Sequence, residues 1–435
     1  MRTRDILELD FFILLPVMAL MVLGVLFIYS SGHNSSGELV STEYIKQIVW
    51  ASAGLVIALT LTMINYRRFY NIALYMYLII LVPLLYTCIF GRTAYGTRWL
   101  RIGIFGLQAS EFAKITVIIL LARYLADSKR SSNSFTRFII SCLIVFIPMG
   151  IVLIQPDLGT ALVFIPILLT MTFIAGISMR YVIFLASFIG LTGVLMVLPL
   201  WQSYILRKSV PVLAALANPR LVAIVCLVLG TIAAIALFGY LKYKKRYFFW
   251  ILYVMAVIAL SLGASYAARK VLKNYQIMRL IVFLDPNVDP RGAGWNIIQS
   301  VTAIGAGGLS GKGYLKGTQS HYRFLPEQST DFIFSIFSEE AGFWGGIIVF
   351  VLFLIICLRL LRIMKITADP FAVYFCAGLV GMVSFHFLVN VGMTMGIMPV
   401  TGIPLLFMSY GGSSIVSAMA GIGIALSIHV RRYNR

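Results

Sequence analysis

The chain alternates between long apolar runs and short polar connections along almost its whole length. A transmembrane helix needs about 20 predominantly apolar residues, and about twelve runs reach or approach this length. They lie near residues 11–31, 46–64, 70–90, 109–126, 137–154, 158–177, 180–200, 221–241, 248–267, 342–363, 371–395 and 411–430. The pattern predicts an all-α polytopic membrane protein with about twelve transmembrane helices.

Composition supports the same fold class. Of the 435 residues, 60% are hydrophobic and 11% are charged, whereas a soluble domain carries about 25% charged residues. The net charge of +20 comes mainly from short basic clusters between the apolar runs. Such clusters fix the orientation of membrane proteins and do not indicate a nucleic-acid partner. With about twelve spans, the clusters fall on one side, which we expect to be the cytoplasm, together with both termini.

The connections that then fall on the opposite, extracytoplasmic side include residues 32–45, 91–108, 201–220 and 269–341. Two of them carry basic residues against the usual bias, namely Arg92, Arg98 and Arg101 in one, and Arg207, Lys208 and Arg220 in the other. Such a departure from the positive-inside bias favours a functional role for these basic residues, although short loops also tolerate a few arginines.

The connection at 269–341 is too long to be a simple link, because loops beyond about 15 residues are usually functional or disordered. Its many aromatic residues are not typical of disorder. It also carries a large share of the acidic residues of the chain, among them Asp285, Asp289, Glu327, Asp331 and the Glu339–Glu340 pair. We therefore expect this loop to be the main site of chemistry.

Two segments of the loop are candidates for that chemistry. The glycine-rich stretch 292–317 could form a nest of backbone N–H groups for a diphosphate, or simply a tight re-entrant turn. In 324–340, Asp331 precedes an apolar run, where desolvation should raise its pKa and suit it as a general base. An N-cap on the following helix, supplied by Ser329, Thr330 or Asp331, explains the same residues equally well.

Ionisable residues also lie at the ends of earlier spans. Glu111 and Lys114 are three residues apart and hence on one helix face, where they are either functional or a self-satisfied ion pair. Ser110 resembles the N-cap of that helix. Asp157, in the QPDLG turn, is best explained as the cap of the next helix.

Near the C-terminus, polar and helix-breaking residues interrupt an apolar stretch: Asn390, Pro399, Pro404 and the SYGGSS turn at 409–414. Broken helices at membrane depth normally line a cavity. The 5 cysteines lie singly in apolar runs and the 4 histidines are scattered, so we expect neither a disulfide nor a zinc site.

Five separated motifs together resemble the SEDS family (shape, elongation, division and sporulation). They are RW at 98–99, SExAK at 110–114, QPDLGT at 155–160, DPxxDPxGxGxxxxQS at 285–300 and FLPExxTDFIF at 324–334. The stretch 390–413 also resembles the C-terminal signature of that family, so the likeness covers nearly the whole chain. GKGxxxGTQS at 311–320 is more similar to the elongation branch than to the division branch.

The resemblance implies a peptidoglycan glycosyltransferase of the bacterial cytoplasmic (inner) membrane that polymerises lipid II, an undecaprenyl-diphosphate-linked disaccharide pentapeptide. It also implies a class B penicillin-binding protein and other elongation-complex membrane proteins as partners, and Asp331 as the catalytic residue. The substrate-binding candidates carried over by position are Arg98, Trp99, Glu111, Lys114, Asp157, Lys312, Gln319, Glu327 and Ser409. Arg98, Lys114 and Lys312, or a divalent cation such as Mg²⁺, would offset the diphosphate charge.

Two features depart from the family pattern. Ala109 stands where members commonly have proline, which should change only the entry to the helix. The family core has about ten spans, so residues 201–268 are expected to form an added helical hairpin. The expected division is then N-terminal helices at 1–200, the hairpin, an extracytoplasmic catalytic loop at 269–341 and C-terminal helices at 342–435.

Two other classes of function fit the same residues. Intramembrane charges and broken helices also occur in transporters and lipid flippases, and the chain could be a non-catalytic scaffold for a penicillin-binding protein. The long polar outer loop, which a transporter does not need, and the lack of an obvious internal repeat favour the enzyme over the transporter.

Overall fold

The structure is a computed structural model, and it describes residues 9–90, 98–102, 105–129, 133–206 and 210–432. Most of these residues are helical, and the one sheet found among them is a two-stranded antiparallel hairpin, β1 (Leu100–Ile102) and β2 (Phe105–Leu107). The α-helices are α1 (Phe11–Ser31), α2 (Glu43–Met63), α3 (Arg67–Phe90), α4 (Ala109–Asp127), α5 (Ser134–Ile154), α6 (Leu158–Ile174), α7 (Met179–Trp201), α8 (Pro211–Ala217), α9 (Pro219–Tyr243), α10 (Arg246–Val271), α11 (Asn274–Leu284), α12 (Trp295–Gly307), α13 (Thr318–His321), α14 (Ile333–Ile366), α15 (Pro370–Thr394) and α16 (Gly412–Val430).

Within the described part of the chain, 10 helices are long and apolar enough to cross a membrane, which confirms the predicted fold class. Two further helices that lie at predicted spans are not among these 10. Helix α6 has 17 residues, and α4 carries four charged side chains, Glu111, Lys114, Arg123 and Asp127. The predicted count of about twelve spans is therefore not confirmed.

Helix α14 is broken at Gly342, whose φ of 69° and ψ of −165° are not helical. The break separates a buried helical segment, 333–341, from the long apolar helix that follows it. The predicted span at 342–363 begins at this break, and residues 333–341 belong to the end of the predicted loop.

The chain divides into a larger unit, 1–177 with 299–435, and a smaller unit, 178–298. In the larger unit, α16 is almost completely buried and packs closely along α2. Glycine allows this approach, because a Cβ on Gly423 would lie 2.6 Å from the carbonyl oxygen of Ala58. Small residues at helix contacts are typical of membrane bundles, in which close packing takes over from the hydrophobic effect.

One end of the larger unit gathers the basic residues. Arg359 donates to the buried carboxylate of Asp10 at 2.6 Å, and Arg431 donates to a carbonyl oxygen at the end of α2 at 2.8 Å. Tyr66 donates to Asp369 at 3.0 Å at the same end. The ends of α1, α2, α14 and α16 that carry these residues therefore meet at one end of the larger unit, whereas the Asp331 turn lies at its opposite end.

In the smaller unit, α9 and α10 form an antiparallel hairpin that turns at Lys244, which has a left-handed φ of 49°. Helix α10 packs parallel to α7. The Tyr253 hydroxyl donates to the Arg180 carbonyl and the Ser261 hydroxyl donates to the Phe188 carbonyl, each at 3.2 Å. The helical hairpin spans Pro219–Tyr243 and Arg246–Val271 and so ends three residues beyond the predicted bounds 201–268. Its addition to a family core stays a prediction.

Candidate active site

Asp331 lies in a turn that precedes the buried segment 333–341, and it is partly exposed. The turn is held from the C-terminal part of the chain. Asn390 Nδ2 donates to the Asp331 carbonyl oxygen at 2.9 Å, and the Tyr410 N–H donates to the Ser329 carbonyl oxygen at 2.8 Å. Asn390 is fully buried and also donates to the Ile403 carbonyl oxygen at 2.8 Å. Two C-terminal residues therefore set the position of the candidate catalytic segment.

The start of α14 decides between the local interpretations of Asp331. The N-cap residue of this helix is Phe332, and no side chain caps it. The prediction of a cap from Ser329, Thr330 or Asp331 is therefore wrong, because the helix begins later than a cap from any of these residues requires. The base interpretation of Asp331 stays a prediction.

Glu327 belongs to the same turn. It has a left-handed φ of 50°, and its exposed carboxylate accepts a hydrogen bond from the Thr330 hydroxyl at 3.3 Å. The Asp331 N–H donates to the Glu327 carbonyl oxygen at 3.1 Å. Glu327 thus helps to close the turn that presents Asp331.

Asp157 caps α6 as predicted, since its Oδ1 accepts from the Thr160 N–H at 3.2 Å. The same carboxylate also lies 3.6 Å from Arg98 Nη1 and accepts from Gln108 Nε2 at 2.8 Å. Arg98 donates to the Pro156 carbonyl oxygen at 2.6 Å as well. The β1–β2 hairpin is thereby fastened to the QPDLGT turn.

The hairpin also contacts the C-terminal segment, because the Gln108 N–H donates to Ser413 Oγ at 2.9 Å. Trp99 lies over Gly106, where a Cβ would come within 3.2 Å of the indole ring. The indole is 38% exposed. The partly exposed indole offers a flat apolar surface at this hairpin.

Glu111 and Lys114 form a buried network with His386. Lys114 Nζ donates to both carboxylate oxygens of Glu111, each at 2.9 Å, and to His386 Nε2 at 3.1 Å. His386 Nδ1 lies 2.9 Å from the Pro404 carbonyl oxygen, which can only accept. Nδ1 therefore carries the proton, and Nε2 accepts from the lysine. The predicted ion pair is present, as part of a larger network in which all three side chains are nearly inaccessible.

Helix α15 brings these two groups of residues together. His386 and Asn390 are four residues apart, and side chains at this spacing are neighbours on one helix face, about 6 Å apart. His386 contacts Lys114, and Asn390 holds the backbone of Asp331. The ion pair of α4 and the candidate base, which are distant in sequence, therefore lie against one face of α15.

Ser110 is not the N-cap that the sequence predicts. Helix α4 begins at Ala109 with Gln108 at the N-cap position, and Ser110 Oγ is buried without a hydrogen-bond partner among the residues described. The hydrogen bonds from Gln108 to Asp157 and Ser413 hold the chain so that the helix starts before Ser110.

Lys312 pairs with a carboxylate of the protein itself. Its Nζ lies 2.6 Å from Glu339 Oε1 and donates to the Thr318 hydroxyl at 2.7 Å. Glu339 is fully buried and also accepts from the N–H groups of Thr318 and Gln319. Gln319 is thus positioned through its backbone, while its buried Oε1 has no hydrogen-bond partner in the described part of the chain.

The glycine-rich stretch packs against the end of segment 333–341. The N–H groups of residues 311–313 all donate to backbone carbonyl oxygens, so they cannot form the predicted anion nest. Gly311 has a φ of 76°, and a Cβ there would lie 2.1 Å from the Glu340 carbonyl oxygen. Gly311 therefore serves a tight turn, because only glycine allows the two backbones to approach this closely. A nest elsewhere in 292–317 stays a prediction.

Two further polar residues shape the same end of the unit. The Ser30 hydroxyl of α1 donates to Glu340 Oε1. Ser409 Oγ accepts from the Leu405 N–H at 2.9 Å, and its carbonyl oxygen accepts from Gln47 at 3.0 Å. Ser409 is 2% exposed and therefore stabilises the turn before α16.

Sequence reasoning missed His386, Gln108 and Ser413. Helical spacing from Asn390 could have placed His386 on the same face, whereas Gln108 and Ser413 carry no local signal, because their roles arise from long-range contacts. In the described ranges, no group of three or more His, Cys, Asp or Glu side chains is placed to hold a metal ion.

Comparison with known proteins gives matches over almost the whole chain. A family model described as "Cell cycle protein" and named for FtsW, RodA and SpoVE matches residues 10–220 and 206–434. The two matches overlap at 206–220, at the start of the predicted hairpin.

Curated relatives match at full length. The chain is 48% identical over 434 residues to peptidoglycan glycosyltransferase RodA of Treponema pallidum, covering 99% of this chain and 100% of that protein. It is 33% identical to peptidoglycan glycosyltransferase MrdB of Escherichia coli K12, covering 98% of this chain and 95% of that protein.

Solved structures share the fold. A chain from a structure titled "Structural coordination of polymerization and crosslinking by a peptidoglycan synthase complex" has a TM-score of 0.69 at 24% identity, covering 98% of this chain and 99% of that one. Rod shape determining protein RodA of Thermus thermophilus has a TM-score of 0.61 at 22% identity, covering 98% of each chain. Because the family model accounts for nearly the whole sequence and a relative 48% identical aligns over 99% of it, the chain belongs to the FtsW, RodA and SpoVE family.

Proposed function

We propose that this chain is a peptidoglycan glycosyltransferase that polymerises lipid II during cell elongation. The observation that carries the proposal is the 48% identity, over 99% of the chain, to a protein named peptidoglycan glycosyltransferase RodA. The geometry supports it, because the partly exposed residues Asp331, Trp99 and Arg98 lie at one end of the larger unit.

In the proposed reaction, the 4-hydroxyl of the acceptor sugar attacks the anomeric carbon of the donor. The new C–O bond forms as the bond to the diphosphate oxygen breaks, and attack opposite the leaving group inverts the anomeric centre. Diphosphate leaves without needing a proton, so one base suffices, in contrast to the two carboxylates of most glycosidases. Asp331 is that base, and its carboxylate takes the proton of the attacking hydroxyl.

The three cations proposed for the diphosphate differ in their access to a substrate. The Arg98 side chain is 37% exposed. The Lys312 side chain is 28% exposed and paired with Glu339, and the Lys114 side chain is 1% exposed with all three of its N–H donors engaged. We therefore assign diphosphate contact to Arg98. Lys114 instead holds α4 against α15 through His386. Lys312 holds the loop in place through its ion pair with Glu339.

The proposed location is the bacterial inner membrane, with the Asp331 end outside and both termini in the cytoplasm. The gathering of Arg359 and Arg431 at the opposite end supports this orientation, because basic connections stay in the cytoplasm. The proposed partner is a class B penicillin-binding protein, which would use the glycan strand made here. A solved chain of the same fold comes from a peptidoglycan synthase complex.

The substitution Asp331→Asn tests the base role. Purified full-length chain, incubated with lipid II and no other enzyme, should lose polymerisation by about 10²–10⁴-fold, the usual contribution of a general base. The substitution removes the charge and keeps the shape, so membrane insertion and folding should be unchanged. Glycan strands are measured by gel electrophoresis of labelled product.

Asp127→Asn is the matched control, since it makes the same change in an exposed carboxylate at the opposite end, where Asp127 pairs with Arg123 at 3.7 Å. It should polymerise normally. Near-normal activity of Asp331→Asn would refute the base role. A wild-type chain that moves lipid II across the membrane without joining it would refute the proposed function.

A further inference from the structure

The smaller unit carries an unusual charge pattern. Residues 158–284 contain basic residues but neither aspartate nor glutamate, and the acidic residues of the unit, Asp285 and Asp289, follow this stretch. In the α9–α10 hairpin the basic residues fall at the two ends: one group lies around the α9–α10 turn, and the other around the start of α9 and the end of α10. The second group stands on the side that the span order places outside the membrane, against the positive-inside bias.

We define the basic rim as Arg220, Arg269, Lys270 and Lys273. Arg220 lies in the first turn of α9, and Arg269 and Lys270 lie in the last turn of α10. Because the two helices are antiparallel, these residues share one end of the hairpin. Lys273 follows directly at the start of α11.

Part of the rim is held in place by the protein. Arg269 Nη2 donates to the Leu216 carbonyl oxygen at 2.7 Å. The Arg269 guanidinium lies 5.8 Å from the centre of the Tyr266 ring, and Lys270 Nζ lies 4.9 Å from the same ring. Arg269 is half-buried, whereas Lys270 and the rest of the rim are exposed. One aromatic ring thus gathers two cations next to each other.

In the part of the chain that the structure describes, no carboxylate is paired with this rim. The acid-free stretch supplies no partner close in sequence. Like charges held close together repel one another, and at the end of apolar helices they stand where membrane lipid headgroups lie. An anionic group of the membrane surface would relieve this repulsion.

We infer that the basic rim binds the diphosphate headgroup of a polyprenyl-linked lipid. The inference rests on the proposed function, which makes such lipids both substrate and product of this chain. The diphosphate carries more negative charge than the single phosphate of a phospholipid, so it matches several adjacent cations better, and the exposed apolar sides of α9 and α10 suit the polyprenyl chain. The role of the rim in this inference is to capture the lipid.

Binding of undecaprenyl diphosphate to the full-length chain in nanodiscs of zwitterionic lipid tests the inference. The triple variant Arg220→Gln, Lys270→Gln, Lys273→Gln removes the exposed part of the rim and spares Arg269, which holds the fold locally. We expect affinity to fall on the order of a hundredfold, because each basic residue at a membrane surface contributes about a factor of five.

The matched control is Lys242→Gln, Lys244→Gln, Lys245→Gln, which removes three exposed charges from the other end of the same hairpin. It should bind within twofold of the wild type. Raising the salt concentration should weaken wild-type binding steeply. Unchanged affinity in the rim variant, equal loss in the control, or binding insensitive to salt would each overturn the inference.

Two further arms separate the possible failures. Phosphatidylglycerol is tested as a competitor for the bound undecaprenyl diphosphate. If both lipids bind with equal affinity, the rim is a general anionic-lipid surface and the diphosphate assignment is overturned. Asp331→Asn should bind the probe normally while losing polymerisation. Retained binding in a chain that never polymerises would overturn the proposed function alone, and a rim variant with unchanged binding would overturn the rim alone.

Discussion

The buried network of Glu111, Lys114 and His386 allows a quantitative test of how the site is built. Lys114→Met removes the ammonium group while keeping most of the apolar stem. Glu111, at 3% exposure, then has no cation beside it, and His386 Nε2 loses its donor. Removing one partner of a buried ion pair costs about 3–5 kcal/mol, which is a large part of the stability of a typical domain.

A double variant isolates the charge contribution. Glu111→Met combined with Lys114→Met replaces both charges by apolar groups of similar volume, a change that is often neutral. The remaining cost is His386 Nε2 without a donor, about 1–3 kcal/mol. The double variant should therefore be more stable than the single variant by about 2 kcal/mol, although it carries one more substitution.

The free energy of unfolding is measured by titrating detergent-solubilised protein with sodium dodecyl sulfate and following tryptophan fluorescence. A cost below about 1 kcal/mol for Lys114→Met, or a double variant as unstable as the single one, would refute the reasoning. Polymerisation by the folded double variant should fall at least tenfold, because Lys114 contacts His386 one helical turn from the residue that holds Asp331.

Two further predictions concern the residues around this network. Asn390→Ala removes two hydrogen bonds to buried carbonyl oxygens and should lower kcat more than it raises KM; an unchanged kcat would contradict a positioning role. Burial, and then the neighbouring His33, lower the pKa of His321 below its usual 6.5. The unfolded loop then binds more protons than the folded loop. The stability that His321 contributes to the folded loop is therefore present above about pH 6.5 and falls on acidification. After correction for the intrinsic exchange rate, which itself falls with pH, the protection of residues 317–328 against hydrogen exchange should therefore decrease from pH 7.5 to 5.5, and this decrease should be absent in His321→Gln.

Local sequence was sufficient wherever the deciding interaction is local. Apolar run length predicted the membrane helices, because a helix satisfies its own backbone within one segment. The Glu111–Lys114 pair and the Asp157 cap were also predictable, because their partners lie within one helical turn. The predicted span at 342–363 also begins where the long helix begins, at Gly342, whose positive φ breaks α14.

Local sequence failed where the partner is distant. Asp331 fitted a helix cap and a base equally well, and only the observed start of α14 removed the cap. Lys312 was expected to meet a substrate diphosphate, but the fold places the buried carboxylate of Glu339 at 2.6 Å from its ammonium group. Ser110 is not the predicted N-cap, because the distant residues Asp157 and Ser413 hold Gln108 at that position.

The sequence by itself therefore determined the membrane class, the family and the motifs that carry the candidate chemistry. Only the tertiary structure decided which of these motifs meet. Helix α15 joins the Lys114 network to the Asp331 turn through His386 and Asn390, across long separations in sequence. The physical reason is that helix periodicity records contacts within one element, whereas the packing between helices depends on the whole chain.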